Sequence, residues 1–409
     1  MMTMIRISLA GLSLLLFTLP GSAQELEPHS YTVTVSAGAF DRVDAIVSFS
    51  LPDHLDDGVY VMEGNSNDPV HLQVVDNKGR FILEYLNAGD SKTYSFRAES
   101  ESGGLPVESV TKNINSPSIS FKAAGKDVLS YFYNESEPPE GINPRFRRSG
   151  YINPVYTPEG VRVTQHFNPH RPHQYGIWSA WYRTEFQGRT PEFWGAHEDN
   201  GRVEADTLEA VWEGPVYGGF RARHRFVDYT VAEPKIALNE QWEVYVYQST
   251  REGKYHIFDI NITQTANTHS PVEIHEHIYG GINIRGHDDW DGEGEMNFLS
   301  SEGYNREKVV GQRVRWSHMG GDVDGNYAGI GILGHPDNPN HPFGVFINDT
   351  EPFFSYGPVS LGDLTIEPGA PWFTRYRIIT HDGEPDTEEL EQLWNDYAYP
   401  PAVTVTRND

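Results

Sequence analysis

The chain has 409 residues, carries a formal net charge of −27 at pH 7 and contains no cysteine. Such acidity argues against nucleic acid as a partner, because binding phosphates requires positive charge, and the lack of cysteine excludes a disulfide-stabilised scaffold. Frequent Tyr, Trp, Phe, Gly and Pro, with few helix-forming runs, are typical of a β-rich protein with many turns, long enough for two domains.

The first 23 residues have the pattern of a secretory signal peptide. Arg6 precedes the apolar run LAGLSLLLFTLP, and Gly21-Ser22-Ala23 forms a small-residue cleavage site. The run is too short for a membrane anchor, and no later segment approaches the length of about 18 consecutive apolar residues that a spanning helix needs. The sequence therefore predicts a periplasmic or secreted mature protein without a membrane partner.

Residues 24–122 show short strand patterns separated by turn residues. In YTVTVSAG, Tyr31, Val33 and Val35 alternate with polar neighbours, which indicates a half-buried strand. Similar short runs follow, namely AIVSFSLP, VYVME, PVHLQVVD, RFILEYL and KTYSFRAE. They predict a small N-terminal β-sandwich. Because no cluster of His, Asp or Glu stands out there, we expect this domain to be accessory.

Residues 123–409 contain longer strand patterns, among them VEADTLEAVWEG, ALNEQWEVYVYQ, KYHIFDINITQTA and WFTRYRIITHD. A mostly antiparallel set of this size packs most economically as a large two-sheet sandwich. The single convincing helix is PDTEELEQLWNDYA, where Asp386 can cap the start and Leu390, Leu393 and Trp394 form one apolar face. The sequence thus predicts an all-β protein with one C-terminal helix, whose large domain carries the active site.

The stretch TQHFNPHRPHQYGIWSAW contains a cluster of histidines followed by aromatic residues: His166, His170, His173, Tyr175, Trp178 and Trp181. A metal site, an acid–base site or a sugar-binding cleft would use this composition, whereas a buried core does not need it. The stretch lies in a basic island, because seven arginines but only two glutamates fall between Ile142 and Arg189. Arginine's planar fork suits carboxylate and sulfate oxygens, so the island predicts an anionic ligand, although ordinary surface ion pairs would also explain it.

A second informative stretch is EIHEHIYGG. On a strand, His275 and His277 would point to the same face, where they could bind a metal or serve as an acid–base pair. Hydrogen-bonded structural histidines are the alternative. Arg285 and Trp290 follow in INIRGHDDW, and the proline-stiffened loop HPDNPNHPFG adds His335. We assign all three of these later residues to substrate binding.

Several motifs together resemble a bacterial domain family of unknown function that is sometimes labelled methane-oxygenase-like. They are AGAFDRVDAIVSFSLP, GYINPVYTPEGVRVT, HRPHQYGIWSAW, GGINIRG, HPDNPNHPFGVFIND and RYRIITHDG. The resemblance implies a galactose-mutarotase-like supersandwich and a link to polysaccharide degradation. The oxygenase label conflicts with the lack of a spanning helix. The family loop reads roughly H-P-H-H-R-G, whereas this chain has His173 followed by Gln174 and Tyr175, so a role for the second histidine does not carry over.

The leading hypothesis is a lyase or dehydratase that acts by β-elimination on oligosaccharides that contain uronic acids, with or without sulfate groups. This chemistry needs a group that neutralises the carboxylate, a base and an acid. We assign His173 and His277 as base or carboxylate-binding groups, Tyr175 as the acid, and Arg171 and Arg285 as carboxylate clamps. We also expect His173 and His277 to share one cleft.

Two other functions stay open. Aldose epimerisation pairs a histidine acid with a carboxylate base, and the mutarotase-like resemblance allows it. A non-catalytic carbohydrate-binding protein would instead use Trp178, Trp181 and Trp290 as stacking platforms. We expect no cofactor. The alternative is a zinc site built from His170 or His173 together with His275 and His277.

Overall fold

The computed structural model describes residues 29–64, 69–98, 105–195, 198–248, 253–292 and 295–408. The predicted signal peptide lies outside these residues. The described part of the chain is built almost entirely from antiparallel strands and has one α-helix near its C-terminus. The predicted all-β class with one C-terminal helix is therefore confirmed. None of the described helices is long and apolar enough to cross a membrane.

The strands and the helix follow one another in this order. The N-terminal part contains β1 (Ser30–Ser36), β2 (Arg42–Ser50), β3 (Gly58–Met62), β4 (Val70–Val75), β5 (Lys78–Leu86) and β6 (Ser91–Arg97). The next are β7 (Val110–Asn115), β8 (Ser118–Ala123), β9 (Lys126–Phe132), β10 (Tyr151–Val155), β11 (His166–Asn168), β12 (Arg171–Tyr175), β13 (Ile177–Ala180) and β14 (Thr184–Phe186). Then come β15 (Gly201–Trp212), β16 (Tyr217–Asp228), β17 (Lys235–Tyr247), β18 (Tyr255–Ala266), β19 (Val272–Ile274), β20 (Gly281–Arg285) and β21 (Asn297–Ser300). The last are β22 (Arg313–Val314), β23 (Trp316–Val323), β24 (Asn326–Gly334), β25 (Phe343–Ile347), β26 (Phe353–Gly357), β27 (Leu364–Ile366), β28 (Trp372–Asp382), α1 (Thr387–Ala398) and β29 (Ala402–Asn408).

Two large sheets form the main sandwich. The nine-stranded sheet has the order β22-β25-β26-β20-β13-β10-β9-β8-β7, and the eight-stranded sheet has the order β15-β16-β17-β18-β28-β24-β23-β21. Their facing side chains share one core, in which Ile152 and Ile284 of the first sheet lie with Trp242 and Ile260 of the second. Alternation explains this: along β17 every second residue from Glu240 is buried, so that one face of the strand lines the core.

A small sandwich packs beside the large one. Its sheets have the orders β29-β1-β6 and β2-β5-β4-β3, and they enclose apolar residues that include Val33, Val47, Leu72 and Phe81. Strand β29 pairs with β1 along its whole length, from Ser30 opposite Asn408 to Ser36 opposite Ala402. The two ends of the described chain are thus joined in one sheet.

The chain does not pass from one sandwich to the other at residue 122, the domain boundary expected from the sequence. Strands β7 and β8 belong to the nine-stranded sheet, so the N-terminal strands of the small sandwich end with β6. That sandwich takes its last strand from the C-terminus instead. The physical reason is that β29 completes an edge next to β1, a pairing between distant segments that local strand patterns do not reveal.

Helix α1 packs on the outer side of the eight-stranded sheet. Asp386 caps it by accepting hydrogen bonds from the backbone N–H groups of Glu388 and Glu389. Leu390, Leu393 and Trp394 are buried against that sheet, as the predicted apolar face requires. Residues just after the helix lead directly into β29, so α1 connects the two sandwiches.

Candidate functional site

The histidine-rich stretch forms a two-stranded hairpin of β11 and β12, residues 166–175, which we call the histidine hairpin. Backbone hydrogen bonds hold its base against the end of β20. Gly176 N–H donates to Gln165 O (2.8 Å), Arg285 N–H donates to Gly176 O (2.7 Å) and Gln165 N–H donates to Arg285 O (3.2 Å). The fold therefore brings the histidine stretch and the GGINIRG strand together, although more than a hundred residues separate them.

A cavity of about 670 Å³ lies on one side of the histidine hairpin, and we call it the hairpin cavity. This volume falls in the range of small-molecule sites. The walls are mostly apolar and stiffened by prolines, while a few polar groups converge on the space. The lining residues are Pro139, Glu140, Gly141, Ile142, Asn143, Phe146, Arg162, Gln165, His166, Phe167, Pro169 and Pro172.

The pKa of His166, which lines this cavity, is shifted by the surroundings of its side chain. Burial, with a further contribution from Arg162, lowers its pKa to about 4. Its Nδ1 lies 2.9 Å from the Tyr151 hydroxyl, which in turn lies 2.7 Å from Ser136 Oγ. Burial raises the pKa of Tyr151, so this hydroxyl stays protonated. At neutral pH His166 is an uncharged imidazole that is held by a tyrosine.

The hydrogen-bonded line Ser136–Tyr151–His166 can exist in two proton arrangements. If the tyrosine donates to Nδ1, then Nε2 carries the imidazole proton and can donate it. If the tyrosine donates to Ser136, then Nδ1–H donates to the tyrosine oxygen and Nε2 is an acceptor. No described residue hydrogen-bonds to Nε2. The neutral His166 can therefore present either a hydrogen-bond donor or a hydrogen-bond acceptor at Nε2.

Arg162 supplies positive charge at the same cavity. Its Nη2 lies 3.4 Å from His287 Nε2, and no carboxylate of the described residues lies within ion-pair distance of it. The side-chain oxygen of Gln165 is also buried without a hydrogen-bond partner among the described residues. A buried polar atom of this kind is usually satisfied by water or a ligand. The cavity thus offers one uncompensated cation and several hydrogen-bonding groups.

A second pocket, of about 380 Å³, lies near the tip of the histidine hairpin. It is lined by Asn168, His170, Arg171, Arg285, Asp291, Gly292, Thr350 and Glu351, so it collects three of the predicted site residues. Both of its arginines are already paired with carboxylates of the chain. Arg171 binds Glu351 through Nε (3.0 Å) and Nη2 (2.7 Å), and the buried Arg285 donates from Nη2 to Asp291 (2.6 Å). The charge of each arginine is therefore already offset by a carboxylate of the chain, while Nε and Nη1 of Arg285 are buried and have no hydrogen-bond partner among the described residues.

The aromatic residues predicted at the site are structural. The Tyr175 side chain is buried and its hydroxyl donates to the backbone oxygen of Phe146 (2.9 Å), which leaves no proton for a leaving group. The side chains of Trp178, Trp181 and Trp290 are 0%, 2% and 0% exposed. The expectation that these tryptophans present their faces to sugars is therefore wrong, because such contacts require an accessible ring face.

The remaining predicted histidines lie in different surroundings. His173 is half-buried within β12. His277 follows β19 and packs against the rings of Tyr182 (4.6 Å) and Tyr279 (4.3 Å), and burial lowers its pKa. His335 is buried beneath α1 against Tyr397, so it is not at the histidine hairpin. A cleft shared by His173 and His277 stays a prediction.

The described residues that could hold a metal ion differ from the three histidines expected at a zinc site. Within the described residues, the side chains close enough to hold one ion are Glu185, Glu273 and His275. Glu185 and Glu273 are a cross-strand pair on β14 and β19. This group contains His275 but not His170, which lines the pocket at the hairpin tip. The arrangement does not assemble the predicted set of three histidines.

The residues that define the hairpin cavity were only partly visible in the sequence. The sequence places His166 in the histidine motif and Arg162 in the basic island, but no local pattern singles out either residue. Tyr151 and Ser136 gave no signal of their own. Their importance comes from burial and from the hydrogen bonds that they make to one another, which depend on the fold.

These features define an antiparallel β-sandwich protein with a cavity beside the histidine hairpin. Residues 118–395 match the model of a family of unknown function, DUF6807. Because the match covers more than half of the chain, the protein belongs to this family. No curated protein matches the sequence.

Solved structures with similar strand arrangements come from Enterococcus faecalis. The α-mannosidase from strain V583 has 9% sequence identity and a TM-score of 0.41, with 92% of this chain and 46% of that chain covered. A protein in glycosyl hydrolase family 38 has 8% identity and a TM-score of 0.39, with 92% and 47% covered. The chain thus spans about half the length of these structures.

The predicted carbon–oxygen lyase activity is overturned. The groups assigned to this chemistry are engaged by other parts of the chain. The hydroxyl of the assigned acid, Tyr175, is bound to the backbone oxygen of Phe146. The two assigned clamps, Arg171 and Arg285, are bound to carboxylates.

Proposed function

We propose that the protein is an exported carbohydrate-active protein that binds uronic-acid-containing or sulfated oligosaccharides in the hairpin cavity. One observation carries the proposal: the uncompensated Arg162 and the neutral His166 line the same sugar-sized cavity. The signal-peptide pattern supports a periplasmic or secreted location.

The walls of the cavity suit a sugar ring. Ile142, Pro169 and Pro172 offer accessible apolar surface to the C–H groups of a pyranose. Asn143, Gln165 and His166 offer donors and acceptors to its hydroxyl groups. Prolines on both sides stiffen the walls, so little conformational entropy is lost when a ligand binds. A small apolar ligand would leave the buried oxygen of Gln165 without a partner, which favours a polyhydroxylated ligand.

The charge of the cavity favours an acidic sugar. The protein as a whole is strongly anionic, so an acidic glycan is repelled at long range and needs a local cation in order to bind. Arg162 supplies that cation, because its guanidinium has no carboxylate partner among the described residues. A charge-assisted hydrogen bond to a carboxylate or sulfate contributes about 1.5–3 kcal/mol, which is a factor of roughly 10 to 100 in Kd.

A second candidate function is aldose epimerisation. The observation that favours it is that His166 and the exposed carboxylate of Glu140 line the same cavity. In this reaction the imidazole Nε2–H would protonate the ring oxygen while the carboxylate takes the proton of the anomeric hydroxyl group. The ring C–O bond then breaks to give the open-chain aldehyde, and reclosure on the other face returns both protons.

Calorimetry with a panel of acidic trisaccharides tests the main proposal. The panel contains galacturonate, mannuronate, guluronate, glucuronate-containing and sulfated galactose trisaccharides, each paired with its neutral methyl ester or desulfated form. We expect at least one acidic member to bind more tightly than its neutral counterpart, and Arg162→Gln to remove that preference. Arg183→Gln, at an exposed arginine of the same basic island, is the matched control. No binding at millimolar concentration, or equal binding by Arg162→Gln, would contradict the proposal.

The epimerase candidate has a separate readout. Nuclear magnetic resonance exchange spectroscopy measures how fast the anomers of an acidic monosaccharide interconvert. We expect a rate above the uncatalysed one that falls in both His166→Asn and Glu140→Gln. If the acidic sugar binds but the exchange rate is unchanged, the binding proposal stands and the epimerase candidate does not.

A further inference from the structure

A cavity of about 440 Å³ lies between the small sandwich and the eight-stranded sheet, and we call it the interdomain cleft. Strands β3, β4 and β5 form one wall, and β15, β16 and β17 form the other. Residues of the cleft that could contact a ligand are Lys78, Arg80, Trp212, Arg221, Glu243 and Tyr245. None of them belongs to the histidine hairpin, so this cleft is separate from the hairpin cavity.

Arg80 carries a buried charge that lacks a carboxylate partner. Its side chain is 8% exposed, and no described carboxylate lies within ion-pair distance of it. The guanidinium lies over the rings of Tyr245 (4.2 Å) and Tyr217 (4.9 Å), and Nη1 donates to the Tyr217 hydroxyl (3.2 Å). A buried cation without a carboxylate is costly unless its N–H groups find acceptors.

Three of the other buried arginines, Arg42, Arg285 and Arg377, pair with carboxylates, whereas the buried Arg148 donates to the backbone oxygen of Ser179 (3.1 Å). Arg42 pairs with Asp396 (2.9 Å), and Arg377 pairs with Asp259 through two nitrogens (2.8 and 3.0 Å). Arg80 has the same degree of burial but faces a cavity instead of a carboxylate. The N–H groups of its guanidinium that do not contact Tyr217 or Tyr245 are therefore positioned to donate to oxygens of a molecule inside the cleft.

The cleft also has an aromatic surface. Trp212 and Tyr245 are both half-buried, and their ring centroids lie 5.6 Å apart with an angle of 42° between the planes. Such rings pack favourably on the apolar face of a sugar. Next to them Arg221 binds Glu243 (2.7 Å) and Asp76 (3.2 Å), which holds two carboxylates in place as acceptors for hydroxyl groups.

The charges of the lining favour a neutral ligand. Four carboxylates (Asp57, Asp76, Glu213 and Glu243) face three cations (Lys78, Arg80 and Arg221), so the walls are nearly balanced. A strongly anionic ligand would be repelled by the carboxylates, and a strongly cationic one would be repelled by Arg80. A polyhydroxylated neutral molecule can use donors and acceptors of both signs.

The two walls are fixed to each other before any ligand binds. The side chain of Gln73, from the small sandwich, crosses the junction and is buried. Its Oε1 accepts from the N–H groups of Val216 (3.2 Å) and Tyr217 (3.1 Å), and its Nε2 donates to Tyr217 O (2.9 Å). The cleft is thus preformed, and binding needs little rearrangement.

We propose that the interdomain cleft is a second binding site, which takes a neutral sugar unit of an oligosaccharide. Arg80 donates to the sugar's ring or hydroxyl oxygens, and Trp212 with Tyr245 forms the stacking surface. The small sandwich then has a binding role, because it supplies Arg80. This proposal does not depend on the function proposed for the hairpin cavity.

Calorimetry with neutral tetrasaccharides tests this site. The probes are the β-1,4-glucose, β-1,3-glucose, β-1,4-mannose and α-1,4-glucose tetrasaccharides. We expect at least one to bind to the full-length mature protein, and Trp212→Ala and Arg80→Met each to weaken its binding at least tenfold. Arg162→Gln, at the hairpin cavity, should leave this binding unchanged.

Thermal unfolding of Arg80→Met separates a binding role from a structural one. Replacing an uncompensated buried cation by an apolar side chain of similar length is often neutral or stabilising. We therefore expect a melting temperature equal to or above that of the wild type, together with lost tetrasaccharide binding. The proposal is overturned if no tetrasaccharide binds at millimolar concentration, or if both variants bind like the wild type.

Discussion

The neutral state of His166 makes a quantitative prediction about stability in acid. Its pKa in the folded protein is about 4, below the ordinary value of 6.5. As the pH falls below 6.5, the unfolded chain takes up the proton first, which favours unfolding. The stability that comes from this histidine is fully present above pH 6.5 and is lost progressively down to about pH 4.

The size of the effect follows from these two values. At pH 4.5 an imidazole with a pKa of 6.5 is almost fully protonated, whereas one with a pKa of about 4 is protonated to roughly a quarter. Because the two states bind protons differently, the free energy of unfolding falls by about 2.5 kcal/mol between pH 7.5 and pH 4.5 from this group alone. Other buried histidines, such as His256 and His341, whose pKa values burial also lowers to about 4, add losses of their own.

Comparing the wild type with His166→Asn isolates this contribution, because the other histidines titrate in both proteins. Urea unfolding followed by tryptophan fluorescence gives the free energy of unfolding at pH 7.5 and pH 4.5. We expect the loss in the variant to be smaller by about 2.5 kcal/mol. His54→Asn, at an exposed histidine, is the control. Equal losses in the wild type and His166→Asn would refute the neutral, buried state of this imidazole.

Three further predictions concern the fold and its processing. Trp178→Ala should lower the free energy of unfolding by about 3–5 kcal/mol, measured by urea unfolding, because this fully buried ring stacks on Phe353; a loss below about 1 kcal/mol would contradict a core role. Asp396→Ala should cost about 3–5 kcal/mol in the same assay, because it leaves Arg42 charged and buried; the double variant Arg42→Met with Asp396→Leu should lose less, because no buried charge is left unpaired. Mass spectrometry of exported protein should find a chain that begins at Gln24, and an intact Met1 would contradict the signal peptide.

The sequence was informative where structure follows from local patterns. Alternation along β17 places Trp242 in the core, and Asp386 caps the one helix as its position before the apolar face predicts. These features depend on neighbouring residues only. They were sufficient for the all-β class and the helix.

The roles of the site residues were harder to predict, because they depend on distant partners. Arg171 and Arg285 are ordinary arginines in the sequence, and only the fold brings Glu351 and Asp291 against them. The tryptophans were misplaced for a similar reason. An aromatic residue in a turn-rich stretch looks accessible, but Trp290 is enclosed by the strands that pack around it.

The central claim is that a sugar binds against His166 in the hairpin cavity. Long-range ¹H–¹⁵N nuclear magnetic resonance of the imidazole nitrogens tests it most directly, with the acidic trisaccharide panel as the titrant. The account predicts that His166 is neutral at pH 7 and that its Nε2 resonance shifts when at least one acidic trisaccharide is added. In Arg162→Gln, the same addition should shift this resonance less. A charged imidazole at pH 7, or no change in Nε2 with any member of the panel, would contradict it.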